Sequence, residues 1–382
     1  MRRQFVVLLL SFFLLSAVTI PTYAEPAVSA ASAIVMDAKS GRILYAKNIN
    51  TQMPMASTTK IMTAIVALEH GKLEDIVEVS AAAAQVEGSS MYLEAGEHLT
   101  LQDLLYGLML VSGNDAAAAI AEHIAGGESA FVAMMNQKAA EIGALQTHFE
   151  NPHGLPSDTH YSTTEDMAKI TAYGLKIPAF AEIVATESKN LPWEGRDYDR
   201  VLTNHNKLLR LYPDCIGVKT GFTKAAGRCL VTAAARDNMT LICVTLNAPD
   251  DWNDHMELYD AMFELYQPVC VLSPEQIYGI VRVAHGAQEQ IEATVSEEIY
   301  FPLRPDEKFE IIPHCDDTVQ APVRRGDDIG YASVMVGGEE LGKLRLTAKA
   351  DVAVQALAFP EAKGTMQSYL GSVFSKWLRL FH

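Results

Sequence analysis

The sequence lacks the short motifs that usually hold metal ions. It contains neither His-Glu-x-x-His nor a paired Cys-x-x-Cys, the spacings that bring metal ligands together on one element. Nothing in the sequence therefore points to a metal or to another cofactor. The chain has five cysteines, and an odd count leaves at least one thiol free or paired between chains. We interpret the cysteines as small core residues and predict no disulfide.

Basic residues are scarce relative to acidic residues. The chain has 30 Lys and Arg against 47 Asp and Glu, which gives a formal net charge of −17. A protein that binds nucleic acid needs cations to neutralise phosphates, so this balance excludes nucleic acid as a partner. The same charge argues against adhesion of the whole surface to an anionic membrane.

The apolar run at the N-terminus is too short for a membrane span. It extends from Phe5 to Val18, follows Arg2-Arg3, and is followed by the small residues around Thr22-Tyr23-Ala24. This order of charged, apolar and small residues is typical of a secretory signal peptide, which we place at residues 1–24. We therefore expect an exported protein.

Three short motifs follow one another along the chain: Ser57-Thr58-Thr59-Lys60, Ser112-Gly113-Asn114 and Lys219-Thr220-Gly221. Each is weak alone, and Ser188-Lys189-Asn190 is a second Ser-x-Asn, which lies too close to Lys219 to fill the middle position. The ordered set, with its roughly even gaps, indicates serine acyl transfer with a lysine as the base.

The first motif supplies a nucleophile and its base. Ser57 and Lys60 stand three residues apart, and the apolar stripe over residues 60–69 predicts a helix on which they share a face. Burial and the positive end of a helix both lower the pKa of a lysine, so a neutral Lys60 can take the serine proton. The alternative is a surface helix with Ser57 as N-cap, which the other two motifs disfavour.

The motif set resembles that of the penicillin-binding proteins and serine β-lactamases. The continuation Phe222-Thr223, together with His153-Gly154-Leu155 and His160-Tyr161-Ser162-Thr163, is similar to the low-molecular-mass D-alanyl-D-alanine carboxypeptidases. The resemblance runs from about Ala27 to the C-terminus. It implies removal of the terminal D-alanine from peptidoglycan stem pentapeptides through an acyl-enzyme on Ser57, and covalent binding of penicillin and other β-lactam antibiotics.

The resemblance also implies the catalytic roles. Ser57 is expected to be the nucleophile and Lys60 the general base. Ser112 is expected to relay a proton to the leaving amine. Asn114 is expected to hydrogen-bond the substrate backbone and Lys60. Sequence pattern places Ser112 and Asn114 on a turn between two helices, where N-capping by Asn114 is the alternative role.

Substrate binding is assigned by resemblance to a second group. Lys219 and Thr220 are expected to bind the terminal carboxylate, and Gly221 to allow close approach of the substrate backbone. The backbone N–H of Phe222 is expected to complete the oxyanion hole with that of the nucleophile. His153 corresponds to a histidine linked to hydrolysis of the acyl-enzyme, and a hydrogen-bonded loop histidine is its alternative.

The segment Asn204-His205-Asn206 resembles an Asn-basic-Asn segment of the family in which arginine often occupies the middle position. The charge of a histidine depends on pH. Whether His205 binds a carboxylate is therefore left open.

The pattern predicts an α+β fold for residues 25–270, the expected serine DD-peptidase domain. Strands over 33–37, 42–46, 215–219, 230–234 and 241–246 surround a helical middle, and a helix is predicted over 258–266. By resemblance this is a penicillin-binding, β-lactamase-like domain: an antiparallel sheet with flanking helices and a helical subdomain. The short alternating runs of residues 275–358 predict a small β-sandwich or barrel that acts as a spacer.

Residues 364–382 have the spacing of an amphipathic helix. Its apolar positions are Met366, Tyr369, Leu370, Val373, Phe374, Trp377, Leu378 and Phe381. We interpret it as a peripheral anchor that lies in the interface of a membrane surface and holds the enzyme on the outer face of the cytoplasmic membrane. The alternatives are a helix packed on the β domain and a dimer seam, and the sequence does not determine the oligomeric state.

Two other functions are compatible with the motifs. The first is a serine β-lactamase, although the Glu-x-x-Leu-Asn loop of class A enzymes is missing and those enzymes lack a β domain and a tail. The second is a catalytically idle peptidoglycan-binding scaffold, which the intact motif set disfavours.

Overall fold

The computed structural model describes residues 26–193 and 195–355, together with residues 371, 373, 375 and 376. The predicted signal peptide and nearly all of the predicted tail helix lie outside the described residues. The four described tail residues are helical and exposed. The described chain divides into two compact units, the first ending at Tyr266 and the second beginning at Gln267. Short turns at 39–42 and 237–239 group with the second unit.

The first unit contains both strands and helices. Its strands are β1 (Ser32–Asp37), β2 (Ile43–Lys47), β3 (Ile76–Glu78), β4 (His98–Thr100), β5 (Ser188–Leu191), β6 (Arg200–Thr203), β7 (Cys215–Thr223), β8 (Gly227–Arg236) and β9 (Met239–Leu246). Its helices are α1 (Lys60–His70), α2 (Leu101–Leu110), α3 (Asn114–Ala125), α4 (Glu128–Ile142), α5 (Thr164–Gly174), α6 (Pro178–Ala185), α7 (Leu208–Leu211) and α8 (Asp251–Leu265).

A five-stranded sheet with the order β2-β1-β9-β8-β7 forms the frame of this unit. Strand β1 pairs antiparallel with β2 and β9, and β7 pairs antiparallel with β8. All six residues of β1 are buried, because helices α5 and α8 both contact it and its four central residues are apolar. The predicted antiparallel sheet with flanking helices is therefore confirmed.

Helix α1 is the central element of the helical part. It contacts α2, α3, α4, α5 and α6, and its residues from Lys60 to Ala67 are all buried. A helix surrounded in this way loses its exposed face, so an ionisable residue at its start is forced into the interior. The fold thereby takes Lys60 out of water.

The sequence pattern missed several elements of the first unit. The hairpins β3–β4 and β5–β6 were not predicted, since their strands are three or four residues long and partly exposed. Helix α8 begins at Asp251 instead of Leu258, and its first turn carries Asp251 and Asp254, which the apolar periodicity did not include. Acidic residues are nevertheless favourable in a first turn.

Residues 267–355 of the second unit contain strands and no helix. Its strands are β10 (Gln267–Leu272), β11 (Gly279–Ala284), β12 (Gln290–Thr294), β13 (Ile299–Leu303), β14 (Phe309–Cys315), β15 (Thr318–Gln320), β16 (Asp328–Val336) and β17 (Glu339–Ala348). A six-stranded sheet has the order β14-β16-β17-β12-β11-β15, and β10 pairs with β13. One apolar core lies between these strands. Within the described part of the chain, no helix has the length and apolar character needed to cross a membrane.

Candidate active site

Ser57 lies on a single 3-10 turn, Ala56–Thr59, directly before α1. Lys60 is the first residue of that helix, and its Nζ lies 3.1 Å from the Ser57 Oγ. The serine is half-buried whereas the lysine is fully buried. The nucleophile therefore faces the cleft described below, and the amine lies behind it. The helix predicted over residues 60–69 is confirmed.

Lys60 has two further partners, both of them oxygen acceptors. Its Nζ donates to Asn114 Oδ1 at 2.7 Å and to the main-chain oxygen of His153 at 2.6 Å. Burial holds the pKa of Lys60 well below its usual value, and the charge of Lys219 lowers it further, while Asp115 opposes the shift. A neutral amine has two N–H bonds and one lone pair. With both hydrogens directed at these oxygens, the lone pair remains for the Ser57 hydroxyl.

Ser112 lies in the turn between α2 and α3, as predicted. Its backbone has a left-handed φ of 64°, a conformation that a non-glycine residue rarely adopts and that often marks a functional site. The Oγ is buried and has no hydrogen-bond partner within the described residues, and the residue lines the same cleft as Ser57. A buried hydroxyl without a partner is available to a bound substrate.

Asn114 is held on both sides of its amide. Its Nδ2 donates to the main-chain oxygen of Glu87 at 2.6 Å, while its Oδ1 accepts from Lys60 Nζ. Both ends of the amide are therefore hydrogen-bonded. The next residue, Asp115, accepts from Ser90 Oγ at 2.6 Å and from the backbone N–H of Leu93 at 3.0 Å. Sequence analysis missed Asp115. The only feature of the sequence that could have indicated it is its position as an acidic residue in the first turn of a helix.

The third motif lies within β7 and not at its end. The sequence predicted a strand that stops at Lys219, but pairing with β8 continues through Gly221↔Cys229 to Thr223. The prediction was wrong because glycine has a low strand preference, which backbone pairing overrides here. A Cβ on Gly221 would lie 3.0 Å from the Ser57 nitrogen, so a side chain there would crowd the nucleophile turn.

Lys219 is the second buried lysine of the site. It is 1% exposed, and its Nζ donates to the main-chain oxygen of Thr220 at 2.8 Å. Burial lowers the pKa of Lys219 to about 7. Thr220, Gly221 and Phe222 line the cleft beside it. The Phe222 ring is exposed, which fits a role that depends on its backbone alone.

His153 contributes to the site through its main chain. Its carbonyl oxygen accepts from Lys60, whereas its Nδ1 accepts from the backbone N–H of Leu155 at 3.3 Å. Burial lowers the pKa of His153 to about 3, so the ring is neutral at physiological pH. The ring is not among the groups that line the cleft, and a role for it in substrate binding stays a prediction.

The cleft has a volume of about 290 Å³ and brings together groups from distant parts of the chain. Besides Ser57, Ser112 and the β7 residues, it is lined by His205, Arg228 and Trp252. Arg228 pairs with Asp251 at 2.7 Å, and its guanidinium lies over the Trp252 ring. Sequence analysis singled out His205 but missed Arg228 and Trp252. They share no motif, because β8 and α8 meet only in the folded unit.

Taken together, the groups suit serine acyl transfer. The Ser57 hydroxyl lies beside a buried amine of lowered pKa, and the Ser112 hydroxyl has no partner within the described residues. The buried Lys219 directly precedes the β7 residues that line the cleft. Residues 57 and 222, whose backbone N–H groups are the predicted oxyanion hole, both line this cleft. These are the group types that a nucleophile, a base, a proton relay and a carboxylate-binding group require.

Two protein-family models match most of the described chain. Residues 19–250 match the D-alanyl-D-alanine carboxypeptidase family, peptidase S11, and residues 266–354 match the C-terminal domain of penicillin-binding protein 5. The first match includes all three motifs, and the second coincides with the all-β unit.

Individual relatives match this chain over most of their own length. The D-alanyl-D-alanine carboxypeptidase DacF of Bacillus subtilis is 36% identical over 339 residues, which cover 86% of this chain and 87% of the relative. The crystal structure of penicillin-binding protein 5 from Haemophilus influenzae is 28% identical, with a TM-score of 0.71, and covers 87% of this chain and 99% of its own. DacD from Francisella tularensis is 26% identical, with a TM-score of 0.65 over 87% of this chain and 95% of its own.

These matches confirm the predicted fold, a penicillin-binding domain followed by an all-β domain. They favour a carboxypeptidase over a serine β-lactamase, because residues 266–354 match the C-terminal domain family of penicillin-binding protein 5. The chain belongs to the D-alanyl-D-alanine carboxypeptidase family of serine peptidases, family S11, and is a serine-type carboxypeptidase.

Proposed function

We propose that Ser57 attacks the carbonyl between the last two D-alanines of a peptidoglycan stem pentapeptide. The Ser57 Oγ forms an ester with the penultimate residue while the C–N bond to the terminal D-alanine breaks. Water then hydrolyses the ester and restores the hydroxyl. A β-lactam acylates the same oxygen, and its opened ring remains attached.

The proton follows a short path. Neutral Lys60 takes it from the Ser57 hydroxyl, since the Nζ is 3.1 Å from the Oγ and its hydrogens are engaged by two other oxygens. Ser112 passes a proton to the leaving amine, which is consistent with its buried and partnerless Oγ. This reaction needs no cofactor, because both transfers use side chains of the chain itself.

The terminal carboxylate of the substrate binds Lys219 and Thr220. Lys219 is buried and charged below about pH 7, and a carboxylate is the natural counterion for a cation in a partly dry site. Asn114 and the β7 backbone bind the peptide chain. The N–H groups of residues 57 and 222 stabilise the tetrahedral oxyanion.

One observation carries this proposal: the three contacts of the buried Lys60 Nζ, to the nucleophile, Asn114 and the His153 oxygen. An idle scaffold would gain nothing from removing a lysine from water, a costly arrangement when the charge is not neutralised. The geometry supports a working base, and the idle alternative does not explain it.

We further propose that the enzyme is exported and held on the outer face of the cytoplasmic membrane by residues 364–382. The support comes from the sequence: the N-terminal signal pattern and the amphipathic spacing of the tail.

The activity is tested with a Lys-D-Ala-D-Ala peptide and the purified full chain. We expect release of D-alanine, and covalent labelling by penicillin at Ser57. Ser57→Ala should abolish both, whereas Ser188→Ala, at the exposed first residue of β5 in the second Ser-x-Asn, should leave both unchanged. A penicillin label mapped by mass spectrometry to a different serine would overturn the assignment. Labelling without D-alanine release would favour the idle scaffold.

A further inference from the structure

Arg228 is a cation of the catalytic cleft to which none of the three sequence motifs assigns a role. It lines the cleft together with Thr220 and Phe222, and its side chain is 40% exposed. Lys219, by contrast, is 1% exposed and is not among the groups that line the cleft. Of the described groups that do line it, only Arg228 keeps a positive charge at every physiological pH. A ligand in the cleft therefore meets the charge of Arg228 directly.

The register of β7 and β8 places Arg228 close to the proposed carboxylate site. Phe222 pairs directly with Arg228, whereas Thr220 pairs with Leu230. Opposed residues of antiparallel strands point to the same face of a sheet, and so do residues two apart on one strand. Thr220 and Arg228 are thus diagonal neighbours on one face, a separation of about 7–8 Å that a long side chain can span.

The guanidinium of Arg228 has a fixed orientation and still has donors to offer. Its Nε and Nη2 donate to Asp251 Oδ1 at 3.0 and 2.7 Å, and its Cζ lies 5.5 Å from the centre of the Trp252 ring. Asp251 is the first residue of α8 and its side chain is 3% exposed, so the fold itself holds the acceptor. In the part of the chain that the structure describes, Nη1 makes no hydrogen bond. Its two N–H groups remain for a ligand.

A carboxylate is the ligand that suits these donors. Arginine binds carboxylates through a planar set of N–H groups and stays charged. Burial lowers the pKa of Lys219 to about 7, so the lysine is charged in only part of the molecules at neutral pH. Arg228 limits the loss of carboxylate binding that follows deprotonation of Lys219. Asp251, the one acidic residue among the described groups of the cleft, is already paired with Arg228.

We propose, on the basis of the function proposed above, that Arg228 is a further binding residue for the terminal carboxylate of the substrate. Its Nη1 donates to a carboxylate oxygen beside Thr220, while Asp251 and Trp252 orient the guanidinium. Lys219 adds a second positive charge from within the protein. The pair of cations makes the enzyme selective for chain ends, since a leaving residue without a free carboxylate has no partner for either charge.

The test compares Lys-D-Ala-D-Ala with the same peptide capped as a C-terminal amide, so that the two substrates differ by one charge. The ratio of their kcat/KM values, acid over amide, measures recognition of the carboxylate by the full chain. We expect Arg228→Gln to lower this ratio roughly threefold to tenfold, since a hydrogen bond to a charged group is partly screened at a half-exposed side chain. Turnover of the amide should be retained, which shows that the variant is folded and its chemistry intact.

Arg236→Gln is the matched control. Arg236 lies on the same strand, pairs with Asp214 at 2.7 Å, lies over the Phe263 ring and is 38% exposed, but it does not line the cleft. Its substitution should keep the acid-to-amide ratio of the wild type.

Arg228→Lys covers the case in which Arg228→Gln does not fold for want of a partner for Asp251. The lysine keeps a positive charge but lacks the planar set of donors, so the ratio should fall in part. A ratio in the folded Arg228 variants equal to that of Arg236→Gln would overturn the assignment of Arg228. Absence of D-alanine release from the wild type would instead refute the proposed function.

Discussion

Two buried lysines with different tasks define the chemistry at the scale of single residues. Lys60 must be neutral to accept a proton, and Lys219 must be charged to bind a carboxylate. Burial lowers both pKa values, and the charge of Lys219 lowers that of Lys60 as well. The substrate-binding cation therefore also keeps the base in its working form.

Lys60→Arg should be nearly as damaging as loss of the nucleophile, although it keeps a positive charge. Arginine stays protonated in proteins and cannot accept the Ser57 proton. A general base contributes about a hundredfold to ten-thousandfold, so we expect penicillin acylation to slow by that factor. Stopped-flow or gel-based acylation rates measure the change. Acylation at the wild-type rate would show that Lys60 acts as a charge alone.

The pH dependence of kcat/KM should distinguish deprotonation of Lys60 from deprotonation of Lys219. With a free-carboxylate substrate, kcat/KM should rise as Lys60 loses its proton. It should then fall above about pH 7 as Lys219 loses its proton and the carboxylate loses its partner. The same peptide capped as an amide does not need the cation, so its alkaline fall should be much weaker. Profiles for both peptides on one enzyme preparation provide the comparison. An equal alkaline fall would assign that limb to another group.

At the scale of elements, the nucleophile turn depends on the loop beside it. Gly154 has φ +91°, and a Cβ there would lie 2.0 Å from the oxygen of Ala56. The preceding residue supplies the carbonyl that accepts from Lys60. Only glycine meets both requirements, a left-handed φ and contact with the turn that carries Ser57.

Gly154→Ala should therefore impair catalysis through the positions of Ser57 and Lys60. A displacement of about 1 Å at a catalytic group can cost on the order of a hundredfold in rate. Penicillin acylation kinetics measure this loss, and a melting curve reports stability.

Gly143→Ala is the matched control. Gly143 has φ +83° and no atom within 4 Å of its added Cβ, so the substitution brings backbone strain of about 1–2 kcal/mol without a clash. We expect a lower melting temperature and unchanged acylation. Equal rate losses in the two variants would mean that Gly154 matters for folding and not for the site.

At the scale of the whole molecule, catalysis and the proposed attachment lie in different segments. The catalytic groups all belong to the first unit, which ends at Tyr266, while the amphipathic pattern occupies residues 364–382. Removal of that segment should release the enzyme from membranes and leave its activity on small peptides intact. Fractionation and D-alanine release measure the two effects, after N-terminal sequencing has confirmed signal cleavage.

Two further variants distinguish an anchor from a structural helix. Phe374→Glu with Trp377→Glu places charges on the apolar positions and should release the protein. Gln367→Glu with Ser368→Glu adds the same charge at polar positions and should have a much smaller effect. A truncated protein that still sediments with membranes rules out the anchor, and a truncation that lowers the melting temperature or changes the oligomeric size supports the packed-helix alternative.

Local sequence determined the parts of this protein that depend on neighbours in the chain. The spacing of Ser57 and Lys60 places them on consecutive turns, the polar turn after α2 carries Ser112, and alternating runs produce the all-β unit. These features follow from backbone periodicity and turn chemistry, which act over a few residues.

Tertiary structure alone decided which distant groups meet. Lys60 lies beside Asn114 and the His153 oxygen because α1 packs centrally among the other helices, and no local pattern encodes those contacts. The same packing excludes water from both lysines and so sets their protonation, since the cost of a buried charge depends on its full surroundings. It also brings Val111 and residues 201–210 together around one surface depression. The reaction type could be inferred from three motifs, but the state of the base and the reach of the substrate site are properties of the folded core.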